Sequence, residues 1–215
     1  MLSRSPTLPH QFDDASQQRE ASTMGMWLFI ATEILFFGSM FLGYAVYRSS
    51  YPEAFAEASR HTLIVFGGIN AAVLLISSTT MAFAVRAARE NRRWQVVSFL
   101  LLTASLGCLF LVIKGLEYSK EISEHLLPGS SFHIEAAQPA KEELFFYIYW
   151  LMTGVHALHV TIGILLILIF AMRACLTNAF LNRDTPVDLL GLYWHFVDIV
   201  WVFLFPLLYL IDRHS

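Results

Sequence analysis

Five stretches of almost uninterrupted apolar residues divide the chain, at about residues 24–47, 63–85, 94–113, 144–172 and 189–211. A bilayer core of about 30 Å takes roughly 20 residues of helix to cross, so each stretch is long enough to span it. Helix is the structure that satisfies every backbone group of such a run without a partner strand. The pattern predicts an all-α integral membrane bundle of five transmembrane helices, a single domain over residues 23–215 that follows a polar N-terminal arm, residues 1–22. That arm carries Asp13, Asp14, Arg19 and Glu20 and lacks the short apolar core of a cleavable signal, so the first span reads as an uncleaved anchor.

The polar links refine the picture. A short polar turn with Pro52, Glu53, Glu57 and Arg60 ends span one, and Arg86, Arg89, Arg92 and Arg93 separate spans two and three. From Lys114 to Glu143 the residues turn polar and include Pro128, Gly129 and Pro139, which predicts a surface loop with local helix prolonging span three. Arg183 and Pro186 lie in the last link. Cationic short loops stay on the cytoplasmic side. The four-arginine link therefore predicts an N-terminus inside, with Arg173 and Arg183, and a C-terminus outside.

Tyrosine and tryptophan near the span ends (Trp94, Tyr147, Tyr149, Trp150, Tyr193, Trp194, Tyr209) fit interfacial anchoring. Small residues four apart, Gly67 with Ala71, Gly68 with Ala72 and Ser39 with Gly43, predict close helix packing. No internal repeat of span pairs is visible, so the signature of an inverted-repeat transporter is missing.

Composition agrees with lipid as the solvent: 56% of the 215 residues are hydrophobic and 14% charged, against roughly 25% charged in a soluble domain. The net charge of −3 is small and dispersed, and predicts neither a nucleic-acid partner nor an extended membrane-surface patch. Cys108 and Cys175 fall in or at the edge of separate apolar runs and form neither a disulfide framework nor a zinc motif.

An ionisable residue inside a span is costly and each one needs a reason. Glu33 lies about nine residues into span one, about 14 Å along the helix and near the bilayer midplane, among Leu28, Phe29, Ile30, Ile34, Leu35, Phe36 and Phe37. A protonated acid in such surroundings is the species that apolar carbodiimides modify. In span four, His156 and His159 are three residues apart, which puts both on one helix face. Two imidazoles could begin a metal site, but zinc or haem needs further ligands, and no cysteine or second histidine pair supplies them. Interhelical hydrogen bonds, to Glu33 or Asp198, are the preferred role. His195 and Asp198 share a face of span five, Asn70 sits inside span two, and Glu117 and Tyr118 close span three, where a Lys114–Glu117 pair is expected. These read as structural hydrogen-bonding groups. With no catalytic motif, no catalytic, cofactor-binding or metal-ligating residue is assigned.

Three ordered motifs carry a resemblance. Met24-Gly25-Met26-Trp27-Leu28-Phe29-Ile30-Ala31-Thr32-Glu33 and the residues after it resemble the span of cytochrome c oxidase subunit III that holds a carbodiimide-reactive glutamate. Gly154-x-His156-x-x-His159-Val160-x-x-Gly163 is similar to that family's histidine-pair helix, and Tyr193-Trp194-His195-Phe196-Val197-Asp198-Ile199-Val200-Trp201 to its last helix. Glu117-Tyr118 is similar to its Glu-Tyr pair. Longer members have seven spans; this chain begins at what corresponds to the third, which leaves the family's lipid cleft without one wall unless a neighbouring subunit supplies it.

The resemblance implies an accessory subunit of a proton-pumping haem–copper oxidase in the bacterial cytoplasmic membrane. Its implied partners are subunit I, which holds the haem and copper centres, subunit II, small subunits and bound phospholipid, with Arg173 and Trp194 as candidate headgroup contacts. Such a subunit supports proton uptake and the durability of subunit I without carrying a redox centre. The same role in a ubiquinol oxidase or beside a nitric oxide reductase is the near alternative. An autonomous proton carrier and a haem-binding redox protein are the alternatives of other classes.

Overall fold

The computed structural model describes residues 15–129, 132–134, 138–176 and 185–211. They form six helices: α1 (Ala15–Ser50), α2 (Pro52–Arg60), α3 (Ile64–Arg89), α4 (Arg93–Ser123), α5 (Pro139–Leu176) and α6 (Thr185–Tyr209). Five of them, all but α2, are long and apolar enough to cross a membrane. The protein is thus an all-helical, multi-pass membrane protein.

Several helices outrun the apolar stretches that announce them. The 36 residues of α1 extend about 54 Å, well beyond a bilayer core, because helix already begins at Ala15 in the polar segment. Residues 1–14 of the expected arm, and Arg183, lie outside the described residues. Helix α4 continues ten residues past Ile113, through Lys114, Glu117 and Glu121, whose side chains are buried. Their polarity reads as an exit from the membrane, whereas their i, i+3, i+7 spacing lines an inner face of the bundle.

The expected polar turn at Pro52 to Arg60 is the short helix α2, with Pro52 in its first turn and Glu53 and Arg60 placed to suit the helix dipole. One face of α2 is fully packed. Phe55 has no exposed surface and meets Tyr44 of α1 and Phe145 of α5 edge-on, with ring centroids 5.7 and 5.5 Å away.

Helices α3, α4, α5 and α6 close a bundle in which α3 lies along α4, α4 along α5, and α6 against both α3 and α5. Lipid removes the hydrophobic drive between helices, so close backbone approach has to hold them. Close approaches at Gly107 and Gly163 seat Trp194 between α4 and α5. A Cβ at either glycine would lie 2.9 or 2.7 Å from the indole. Of the expected small-residue pairs, Gly67 abuts Phe205 and Tyr209 at 3.0 Å, whereas Gly43 has nothing within 4 Å of a built Cβ.

Helix α1 rides outside this bundle, chiefly on α6. Its buried apolar residues, Ile30, Phe37 and Tyr44, recur every seven positions and make a narrow seam, while Leu28, Leu35 and Leu42 on other faces are exposed. The seam ends on α6's unsatisfied terminal carbonyls. Tyr44 Oη donates to Leu207 C=O, and Ser59 Oγ of α2 donates to Leu208 C=O at 3.0 Å. Both α3 and α4 end in Schellman turns: Arg92 N–H reaches Ala87 C=O past Asn91 (φ 54°), and Leu126 N–H reaches Glu121 C=O past His125 (φ 58°).

Candidate functional site

Two clusters of buried polar groups stand out, one on the seam of α1 and one inside the bundle. On the seam, Glu33 Oε2 lies 3.1 Å from His159 Nε2, joining α1 to α5. The other ring nitrogen, Nδ1, is 2.9 Å from Val155 C=O one turn earlier in α5. A carbonyl only accepts, so Nδ1 carries a proton and donates it. The Glu33–His159 contact then holds one further proton, either as carboxylic acid and neutral imidazole or as carboxylate and imidazolium. Both arrangements are neutral overall, which suits a membrane interior. Phe37 closes on the imidazole edge at 5.2 Å, and Tyr193 Oη donates to His159 C=O at 3.0 Å. Glu33 and His159 nevertheless remain 18% and 13% exposed at their side chains, so the pair is open to what lies against the bundle.

His156 does not share this contact. It points into the bundle, where its fully buried ring meets Phe110 at 5.5 Å and Trp201 at 5.1 Å and its nitrogens make no hydrogen bond among the described residues. The expected common face thus separates into a seam residue and an interior residue, because a step of three residues turns about 300°. His195 and Asp198 reach α3 instead of α5. Ser78 Oγ is 2.7 Å from His195 Nδ1, and the same serine is the polar neighbour of the buried Asp198 carboxyl. Asn70 is buried in α3 and its amide makes no hydrogen bond among the described residues.

Trp194 is not a headgroup contact. It has no exposed surface, and its Nε1 donates to Ser77 Oγ at 2.8 Å deep between Gly107 and Gly163. Tyr149 and Tyr209 are likewise fully buried rather than interfacial, while Trp94 and Tyr147 are exposed, as an anchoring role requires. Arg173, near the end of α5, is exposed.

The second cluster is centred on Lys114 of α4, which is 2% exposed. Its ammonium donates to Glu117 Oε2 at 3.1 Å, Tyr149 Oη at 2.8 Å and Tyr209 Oη at 2.7 Å, using all three protons. The expected Lys114–Glu117 pair therefore forms, inside the protein. Tyr209 Oη donates to Glu117 Oε1 at 2.8 Å, and Tyr149 Oη lies 2.5 Å from Glu121 Oε1. The rings of Tyr118, Tyr149, Tyr209 and Trp201 surround the ammonium at 4.7 to 5.7 Å, within the range of cation–π attraction. Tyr118 holds α4 to α5 through Thr153 Oγ1 at 2.7 Å and stacks on Trp150 at 4.2 Å. Sequence reasoning misses Glu121, Tyr149 and Tyr209. Glu121 has a signal, its helical spacing from Lys114 and Glu117, while the tyrosines come from other helices and have none.

No group of three or more histidine, cysteine, aspartate or glutamate side chains among the described residues is placed to hold a metal ion. What the geometry defines is a polytopic helical protein whose interior polar groups join one helix to another. The chain belongs to the cytochrome c oxidase subunit III family, whose model matches residues 10–212, and so to the subunits of an oxidase complex. It is 32% identical to cytochrome c oxidase subunit 3 of Synechocystis over 87% of this chain and 74% of that protein. Identity to cytochrome c oxidase subunit 3 of Thermostichus vulcanus is 30%, over 94% of this chain and 92% of the relative. The cytochrome bo(3) ubiquinol oxidase subunit 3 of Pseudomonas aeruginosa is 27% identical over 94% and 90% of the two chains.

Proposed function

We propose that this chain is the non-catalytic subunit III of a proton-pumping cytochrome c oxidase in a bacterial cytoplasmic membrane, with its N-terminus inside and its C-terminus outside. In this role it packs directly against subunit I, adjoins subunit II and any small subunits, and supports proton uptake and the working life of subunit I. Haem and copper reside in those partners, and phospholipid, with Arg173 as one headgroup contact, fills the space beside α1. The observation that carries this reading is the family match over residues 10–212. The packing fits this reading: His159 is engaged by Glu33 and Val155, and His156 is enclosed by Phe110 and Trp201, so both rings serve contacts between helices of the bundle.

Affinity purification in mild detergent tests the proposal. A haem–copper subunit I should copurify and give a reduced-minus-oxidised haem spectrum, while the isolated chain should show no Soret band and move no protons in liposomes. A stoichiometric haem retained by the isolated chain, or a proton flux abolished by Glu33→Gln, would overturn it. Relatives of both the cytochrome c and the quinol type match along most of their length. The electron donor accepted by the purified complex separates these two forms of the same role.

A further inference from the structure

A cavity of about 450 Å³ opens where α3 turns into α4, away from the Glu33 seam. Phe83, Arg86 and Glu90 line one side of it and Arg92, Trp94 and Phe99 the other. The hairpin that builds it is fixed by the Schellman turn at Asn91, which brings Arg92 back over the last turn of α3. Glu90 is gripped from both sides, with Arg86 Nε and Arg92 Nε each 3.0 Å from one of its carboxylate oxygens. Both arginines nevertheless keep most of their side-chain surface open, 75% and 59%. Arg89 is engaged elsewhere, with Asp188 of α6 at 3.0 Å.

Two guanidinium groups against one carboxylate leave a single uncompensated positive charge at the mouth of this cavity. The start of α4 adds to it. The first intrahelical bonds come from Gln95 and Val96 N–H to Arg92 C=O, so the N–H group of Trp94 lies in the first turn, at the positive end of the helix dipole. Just inside, Phe83 and Phe99 meet at 5.5 Å and form an apolar floor that leads toward the hydrocarbon, and Trp94 stands 70% exposed beside it. Exposed tryptophan marks the headgroup level of a bilayer.

We propose that this hairpin binds the phosphodiester of an anionic phospholipid, with the phosphate between Arg86, Arg92 and the N–H of Trp94 and one acyl chain on Phe83 and Phe99. A monoanionic phosphodiester matches the single open charge. The apolar floor selects a lipid over a free phosphate. Glu90 acts as a built-in competitor that holds the arginines in place and limits affinity.

The test uses the purified full chain in phosphatidylcholine vesicles doped with phosphatidylglycerol, either lipid carrying bromines on its acyl chains. Trp94 quenching is read as the difference between the chain and its W94F variant. Brominated phosphatidylglycerol should quench Trp94 several-fold more effectively than brominated phosphatidylcholine, and high salt should reduce the preference. Each of Arg86→Gln and Arg92→Gln should lower it by up to roughly fivefold, and Glu90→Gln should raise it. Glu90→Gln keeps the test decisive should the arginine variants fail to insert. Equal quenching by the two lipids, a preference unchanged in all three variants, or displacement by millimolar inorganic phosphate would each overturn the proposal.

Discussion

The two polar clusters of this bundle solve the same electrostatic problem in opposite ways. Glu33 and His159 form one contact on the seam between a loosely seated helix and the bundle, and both side chains keep some exposure. Lys114, Glu117 and Glu121 are at most 2% exposed and are cross-linked by Tyr149 and Tyr209 from two other helices. A single neutralised pair leaves a helix free to adjust to whatever lies beside it. A charge held by several partners at once fixes three helices in one arrangement, since removing any member strands the rest in a medium that cannot solvate them. The inner cluster is a structural lock and the outer pair a contact with reserve.

The largest test of that contrast is Lys114→Met. It leaves Glu117 and Glu121 buried without their cation and should cost about 3–5 kcal/mol, seen as a sharp fall in the thermal midpoint and yield of the purified protein; an unchanged midpoint would refute the lock. Next comes Gly163→Ala, whose Cβ would meet Trp194 at 2.7 Å. Overpacking at this seat should destabilise the bundle by about 1–3 kcal/mol and shift Trp194 fluorescence.

Glu33→Gln should be milder, because a side-chain contact between membrane helices is worth about 0.6 and at most about 1.7 kcal/mol. The oxidase should assemble and its initial turnover stay near normal. A collapsed initial rate with assembly intact would instead assign Glu33 an obligatory part in proton transfer.

The smallest expected effect lies outside both clusters. The hydrogen bond from Arg86, followed by the charge of Arg92, holds the Glu90 carboxyl below the usual carboxylate range. A carboxylate favoured in the folded state stabilises the hairpin above its unfolded pKa, and that contribution is lost as pH falls through the folded value. The protection factor of the Arg92 amide, its exchange rate relative to an unstructured peptide at the same pH, should therefore fall in acid, and Glu90→Gln should remove that dependence.

Much of the outer pair could be read from the chain. A glutamate in the middle of an apolar run demands a partner, and the nearby histidines were the natural choice; only their separate duties were hidden, since His159 turns to α1 and His156 to Trp201. The inner cluster was far less legible. Lys114, Glu117 and Glu121 resemble the exposed end of a span until Tyr149 and Tyr209 are brought beside them. Trp194 misleads in the same manner, since a tryptophan near a helix end suggests a headgroup contact until Gly107 and Gly163 make room for it inside.

The sequence by itself determined that five helices cross the membrane, because backbone groups in lipid leave no alternative to helix over apolar runs of that length. The same residues carried the family likeness and the need to neutralise Glu33. Tertiary structure alone decided which polar residues face inward together. That choice depends on the rotation and depth of each helix against its neighbours, which are fixed by small-residue contacts and shared hydrogen bonds between segments far apart in the chain.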